Sequence, residues 1–247
     1  MTHGSLFSGI GGFDLAAQWM GWKNVFQVEI DPFCQKVLEK NFPNVARSGD
    51  IKEFNGTKYR GTIDVLSGGF PCQNISIVGD RKGITGAKSG LWGEMYRIIK
   101  EVNPSFVVIE NSTELLKKGF EQVLYPLSEI GYDAEWQCFQ AKDFGFPHER
   151  KRIFIVAYSN GLGREGDNET FRVLPKDFSW SNVPDKTSNL LLPLRRFDRE
   201  GNYESVRMDD GFSDELDKGR ISGCGNAIVP QVAFEIFKAI EKVNNSI

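Results

Sequence analysis

The sequence has little of what secreted, metal-binding or membrane proteins depend on. Its 247 residues hold four cysteines, Cys34, Cys72, Cys138 and Cys224. They lie far apart, form no CxxC pair and have no histidine beside them. That argues against a zinc site and against a disulfide framework. No apolar run approaches the length of a membrane span, and the opening MTHGSLFSGIGGFD lacks the basic region and long apolar stretch of a signal peptide. The expectation is a reducing, cytoplasmic setting with no membrane and no metal. Charge of one sign is scarce too. A net charge of −3 argues against a general nucleic-acid coat, which would be basic, but leaves room for one local basic face. Between Lys142 and Arg207 there are twelve Lys/Arg against ten Asp/Glu. A phosphate-facing surface and a solvated face of mixed charge both read from that count.

What is present is an ordinary globular composition, 40% hydrophobic and 26% charged, in a chain long enough to bury a sizeable core. Short β-rich runs recur as GSLFSG, NVFQVEI, TIDVLSGG, SFVVIEN, AEWQCFQ and RIFIVAYS. Between them, apolar residues recur at helical spacing: Phe13, Ala16, Ala17 and Met20; Phe33, Val37 and Leu38; Leu91, Met95, Ile98 and Ile99; Phe120, Val123, Leu124 and Leu127. This alternation predicts a doubly wound, mostly parallel α/β sheet, which binds ligands at the carboxyl ends of its strands. From about Ser159 to Arg220 the rhythm breaks into a Gly-, Asn-, Asp-, Ser- and Arg-rich segment. PQVAFEIFKAIEKV then reads as a helix, with proline at its start and Val232, Ile236 and Ile240 on one face. The expected division is an α/β domain over 1–158, a short irregular insert over 159–220 and a segment over 221–247 that returns to the first domain.

Five stretches carry chemistry. In SLFSGIGGFDLA a strand enters a turn with Gly9, Gly11 and Gly12 that opens a helix, letting a ligand approach the backbone and meet free N–H groups. About twenty residues on, Glu29 stands where an acid grips a ribose hydroxyl, and Asp50 follows the next strand. Turn and acid together favour a nucleotide-like cofactor. In GGFPCQ, Gly68 and Gly69 let the chain turn at a strand end and Pro71 fixes φ beside the Cys72 thiol. Cys72 is either a small buried hydrophobe or a nucleophile. The glycine-rich stretch from Asn74 to Gly90 reads as a lid or as a plain solvent loop. FVVIEN sets Glu110 at a strand tip, where it is a general acid of raised pKa or simply a cap or ion-pair partner. Arg150 and Arg152 alternate ahead of a strand and so point to one face, suiting phosphate or carbonyl oxygens. GNAIVPQVA, feeding the last helix, is ambiguous by itself.

In this order the pieces resemble the DNA 5-cytosine methyltransferase family: LFSGIGGF, Glu29 with Asp31, Asp50, GGFPCQ, Glu110-Asn111, PHERKR and GNAIVPQVA. The resemblance implies an S-adenosylmethionine-dependent methyltransferase fold. It also implies S-adenosylmethionine as cofactor, with S-adenosylhomocysteine as product, and a cytosine flipped out of duplex DNA as substrate. It implies that Cys72 adds to C6 of the base and that Glu110 holds or protonates N3 and the amine. Arg152 then binds the base carbonyl, and Arg150 positions phosphate or the lid. For the cofactor it implies Phe7 against the adenine and Gly9, Gly11 and Gly12 near the methionine part. Glu29 with Ile30 falls at the ribose and Asp50 with Ile51 at the adenine, while Pro71, Leu91, Asn226 and Ala227 complete the pocket. Gln73 and Ser76 are implied at the DNA backbone or lid. Arg195, Arg196 and Arg199 of the insert, read as a compact target-recognition region of the phage or prophage kind, are expected to reach DNA phosphates. A bacterial or phage-infected cell, action as a monomer and a cognate restriction endonuclease as partner follow as expectations. The chain departs from the family pattern at Ser112, at His148, at Gly86 and Lys88 in the lid, and in the shortness of the insert. Two alternatives are a tRNA cytosine-5 methyltransferase, which Gln73 after the cysteine disfavours, and a catalytically inactive DNA-binding relative, which the joint presence of Cys72, Glu110, Arg150 and Arg152 disfavours.

Overall fold

The computed structural model describes residues 1–71, 90–141, 150–159 and 227–245. Twelve regular elements alternate along them. The first half runs β1 (Thr2–Leu6), α1 (Gly12–Trp19), β2 (Lys23–Val28), α2 (Pro32–Asn41), β3 (Ala46–Ser48) and β4 (Val65–Gly68). The second runs α3 (Leu91–Val102), β5 (Phe106–Ser112), α4 (Phe120–Glu129), β6 (Tyr132–Gln140), β7 (Lys151–Ser159) and α5 (Pro230–Asn244). The strands form one sheet in the order β3-β2-β1-β4-β5-β7-β6. The pairs from β3 to β5 are parallel, and β7 is antiparallel to both β5 and β6. This is the doubly wound, mostly parallel sheet expected from the alternation, with its order reversing between β1 and β4.

Strand residues are apolar on both faces because helices cover both. On one face Leu6, Phe26, Val28, Leu66, Val107, Ile109 and Ile155 pack with Met95, Ile98, Ile99 and Val102 of α3 and with Val123 and Leu127 of α4. On the other, Val65, Phe106, Val108, Phe154 and Val156 meet Phe13, Ala16 and Ala17 of α1 and Val232, Phe234, Ile236, Phe237 and Ile240 of α5. The helix read at the C-terminus therefore closes the sheet's second face and lies against α1. Helix starts follow their sequence signals. Asp31 caps α2 by accepting the Phe33 and Cys34 N–H groups, with Pro32 at the first position. Pro230 opens α5.

The register is what positions the site. Leu6 pairs with Val28 on one side and Gly68 on the other, Val28 pairs with Ser48, and Gly68 with Ile109. Four parallel strands thus end in one row while β5 runs on to Ser112, and Gly49, Glu29, Phe7 and Gly69, the residues after the four ends, stand along one sheet edge with Glu110 of β5. Residues 160–220 of the expected insert over 159–220, residues 74–89 of the lid over Asn74–Gly90, His148 and most of the stretch between Lys142 and Arg207 lie outside the described residues. No helix among the described residues is long and apolar enough to cross a membrane, and no cluster of His, Cys, Asp or Glu among them is arranged to hold a metal.

Phe237 is the pivot of the second face: fully buried, it stacks on Trp22 at 4.8 Å between ring centroids and on Phe13 at 6.0 Å. Phe237→Ala is expected to lower unfolding free energy by about 3–5 kcal/mol, the usual cost of a large aromatic cavity, as measured by chemical denaturation.

Candidate active site

The turn after β1 is built for close approach. Phe7 lies in the left-handed region at φ 51° and is partly buried against the first core layer. Gly9 (φ 55°) and Gly11 (φ 90°) share that region, which only glycine adopts freely. The glycines serve different ends. A Cβ on Gly11 would sit 2.6 Å from the Phe42 ring, and one on Gly12 would sit 2.8 Å from the Ile228 carbonyl oxygen. These two therefore let α2 and the segment before α5 pack tightly. Around Gly9 a Cβ would meet nothing within 4 Å, so the turn opens there onto free space.

Glu29 stands across from that opening. Its Oε2 accepts the Gly9 N–H at 2.7 Å and its Oε1 accepts the Asp31 N–H at 2.8 Å. Each oxygen keeps a lone pair for a further donor. Ile30 beside it is 67% exposed, an uncovered apolar side chain at the rim of the turn. Asp50 closes a local turn by accepting the Lys52 N–H, while Ile51 is buried in the first core layer. Pro71 is exposed, Leu91 begins α3 half-buried against the core, and Ala227 is half-buried before α5. Cys72, Gln73, Ser76, Arg195, Arg196, Arg199 and Asn226 lie outside the described residues.

Glu110 and the end of β4 are held against each other. Glu110 lies inside β5, which runs on to Ser112, rather than beyond its end. Its carboxylate is so close to the β4 turn that a Cβ on Gly69 would sit 2.8 Å from Oε2. Gly69 is not among the residues with positive φ, so it is glycine for clearance rather than for backbone freedom. Asn111, next in the strand, faces the opposite way and donates from Nδ2 to the Phe70 carbonyl at 3.0 Å. Neighbouring side chains of β5 thereby grip the two residues ahead of Pro71 and Cys72. Asn111 has no role in the sequence reading. A buried amide directly after a buried acid is the signal that could have found it.

Arg152 falls within β7, in register with Ser112, and is the diagonal neighbour of Glu110. Its Nε lies 3.0 Å from Glu110 Oε1. The pair is close enough for Coulomb attraction, but that oxygen has no aligned hydrogen-bond donor. Burial pushes the Glu110 carboxyl above the usual carboxylate range, against the opposing pull of Arg152 and then Arg150. Arg150 is held below its ordinary value by burial and by Arg152, with Glu110 acting the other way. The three charged groups line one depression with Phe139, Ile228 and Val229, so the residues ahead of α5 supply an apolar wall. Such a recess, with a buried acid and two guanidinium groups, can set donors and an acceptor against the edge of a polar group.

An open α/β sheet with a glycine turn at its first strand and an acid–arginine recess two strands away defines a methyltransferase-type fold. The Entamoeba histolytica methyltransferase EhMeth superposes on it with a TM-score of 0.61, covering 97% of each chain; at 17% identity that likeness is one of fold. Residues 1–223 match the C-5 cytosine-specific DNA methylase family, and the chain belongs to it. It is 37% identical over 171 residues to the type II methyltransferase M.Eco47II of Escherichia coli, covering 66% of this chain and 41% of that protein. It is 33% identical over 192 residues to the type II methyltransferase M.HhaI of Haemophilus parahaemolyticus, covering 76% of this chain and 56% of that protein. The chain thus spans about half the length of the curated relatives it matches.

Because Glu110 binds its proton more tightly in the folded protein than in the unfolded chain, its contribution to stability falls as pH rises from the unfolded glutamate value, about 4, to its raised folded value. Glu110→Gln is expected to remove this slope. Chemical denaturation between pH 4 and 8 should show the variant gaining on the parent as pH rises from about 4, the unfolded glutamate value.

Proposed function

We propose that the chain transfers a methyl group from S-adenosylmethionine to C5 of a cytosine turned out of duplex DNA, with Cys72 as nucleophile. The observation that carries this reading is the buried Glu110 carboxyl seated against Gly69, three residues ahead of Cys72, with Arg152 at 3.0 Å. Family membership and the type II methyltransferase relatives support it.

The cofactor site fits what the residues offer. The free space at Gly9, the uncovered Ile30 and the acids Glu29 and Asp50 at neighbouring strand ends suit a ligand with a flat base, ribose hydroxyls and a cationic centre. Phe7, Gly11, Gly12, Ile51, Pro71, Leu91, Asn226 and Ala227 would frame it. When bound, S-adenosylmethionine supplies an electrophilic methyl group. The protein's task is to make C5 nucleophilic. The Cys72 thiolate forms a bond to C6, and the C5–C6 electron pair moves into the ring toward N3. Glu110, whose carboxyl burial pushes toward its protonated form, offers a proton at N3, so the ring never carries the full negative charge. Arg152 faces the base carbonyl, and Arg150 a phosphate. After transfer, water takes the C5 proton, the Cys72–C6 bond breaks with its electron pair returning to the thiolate, and N3 gives its proton back to Glu110, which restores the ring. Gln73, Ser76, Arg195, Arg196 and Arg199 would contact the DNA backbone, and the type II relatives support a modification role beside a restriction endonuclease.

Cys72→Ser is expected to abolish methyl transfer to duplex DNA, measured with labelled S-adenosylmethionine, while cofactor binding survives. With 5-fluorocytosine in the target, the parent should form a covalent complex that the variant does not, since fluorine at C5 cannot leave as a proton. Activity in Cys72→Ser, or an active enzyme that is never trapped, would overturn the assignment. Gly69→Ala should leave the protein folded but displace Glu110 and lower the rate on the order of 10²-fold, as misplacement of a catalytic group by about an ångström does. Bisulfite sequencing of DNA from cells expressing the chain reads activity and target together.

A further inference from the structure

Beneath the glycine turn, inside the apolar layer covered by α1 and α5, lies a polar network that the proposed chemistry does not use. Ser5, Gln27 and Asp14 are fully buried and Ser8 nearly so. Asp14, in the first turn of α1, accepts from Ser5 Oγ at 3.0 Å with both carboxylate oxygens and from Gln27 Nε2 at 3.0 Å. Ser5 has one hydroxyl hydrogen. With that hydrogen on Asp14, the 2.6 Å contact between Ser5 Oγ and Ser8 Oγ must be donated by Ser8. Ser8 is also tied through its main chain: its N–H donates to Val28 at 3.1 Å and its carbonyl accepts the Gly11 N–H at 2.9 Å. The carboxylate is thus the end of a relay that begins in the turn itself. Burial pushes the Asp14 carboxyl up to about 6, which still leaves it mainly the acceptor Ser5 needs at neutral pH.

A second chain leaves the same residue from its main chain. Asn24 Nδ2 donates to the Asp14 carbonyl at 2.9 Å, and Asn24 Oδ1 is 2.7 Å from His3 Nδ1. That oxygen only accepts, so His3 carries its proton on Nδ1 and accepts at Nε2 from Ser67 Oγ, 2.7 Å away in β4. The second chain ends in the middle of the sheet and does not touch the turn.

We infer that Asp14 is a positioning residue for the cofactor, holding the Phe7–Gly11 turn in its open left-handed form through Ser5 and Ser8. This rests on the reading of that turn as the S-adenosylmethionine site. A buried charge-assisted relay suits the task, because the turn residues are in a sparsely populated conformation that their own contacts must maintain. The test compares Asp14→Asn, Ser8→Ala and His3→Gln with the parent, measuring KM for S-adenosylmethionine, kcat on duplex DNA of mixed sequence, and thermal stability. Asp14→Asn keeps one acceptor, replaces the other with a donor facing Ser5 Oγ, and removes the charge that strengthens the relay. Asp14→Asn should raise KM for the cofactor about tenfold with kcat within about twofold, the signature of lost binding rather than lost chemistry. Ser8→Ala should move KM the same way, and it guards against failure of Asp14→Asn to fold. His3→Gln, which cuts only the second chain, should lower thermal stability yet leave KM within about twofold. A folded Asp14→Asn or Ser8→Ala with parental KM, or an equal rise in His3→Gln, overturns the inference while the cofactor reading stands. A parent chain that binds no S-adenosylmethionine overturns that reading and this inference with it.

Discussion

The parallel register from β3 to β5 is the constraint on which the rest depends. Because Ser48, Val28, Leu6, Gly68 and Ile109 fall in one row, four strands end together and the residues after them share one edge with Glu110 of the longer β5. Parallel strands need crossover connections, and the helices in those connections supply the two apolar layers that keep the register from slipping. A one-residue shift of β5 would turn Glu110 to the face of α3 and Asn111 to the face of α5. The chemistry is therefore secured by hydrophobic packing far from it, in which Phe237 and Met95 are fully buried on opposite sides of the sheet.

Within that frame, opposing electrostatic effects meet at Glu110. Burial favours its neutral form, and two nearby guanidinium groups favour the anion. Burial wins, and Arg152 is itself about a third exposed. An ion pair in that position is partly screened by water and does not repay the desolvation of the carboxylate. The same logic governs the polar network under α1, where His3 is held down to about 4 by burial and so stays neutral, with Asn24 fixing its tautomer. Both sites lie on the sheet face that α5 closes, so the last helix shields the acid as well as the core.

Much of this was legible in the residues. Helical and strand periodicities located the elements, and turn residues marked the ends where chemistry belongs. The order of LFSGIGGF, GGFPCQ, Glu110-Asn111 and PHERKR pointed to the family that residues 1–223 match. Other assignments carried less structural information than their motifs suggested. Gly11 and Gly12 read as ligand-approach glycines, yet both are required by contacts with Phe42 and Ile228. Glu110 read as a strand tip, yet β5 continues past it because β7 pairs with it as far as Ser112. The antiparallel placement of β7 between β5 and β6 has no signature in local periodicity.

By itself the sequence determined which residues are apolar, where the chain turns and which side chains can do acid, base or nucleophilic work, because these follow from side-chain chemistry and from spacing along one element. Only the tertiary structure decided which of them meet. Gly69 with Glu110, Asn111 with Phe70, Arg152 with Glu110, and Asp14 with Ser5 and Gln27 are contacts between different elements, set by strand order and register. Their electrostatic character was decided there as well, since a carboxyl group acquires a shifted pKa from the layer that buries it and not from its neighbours in the chain.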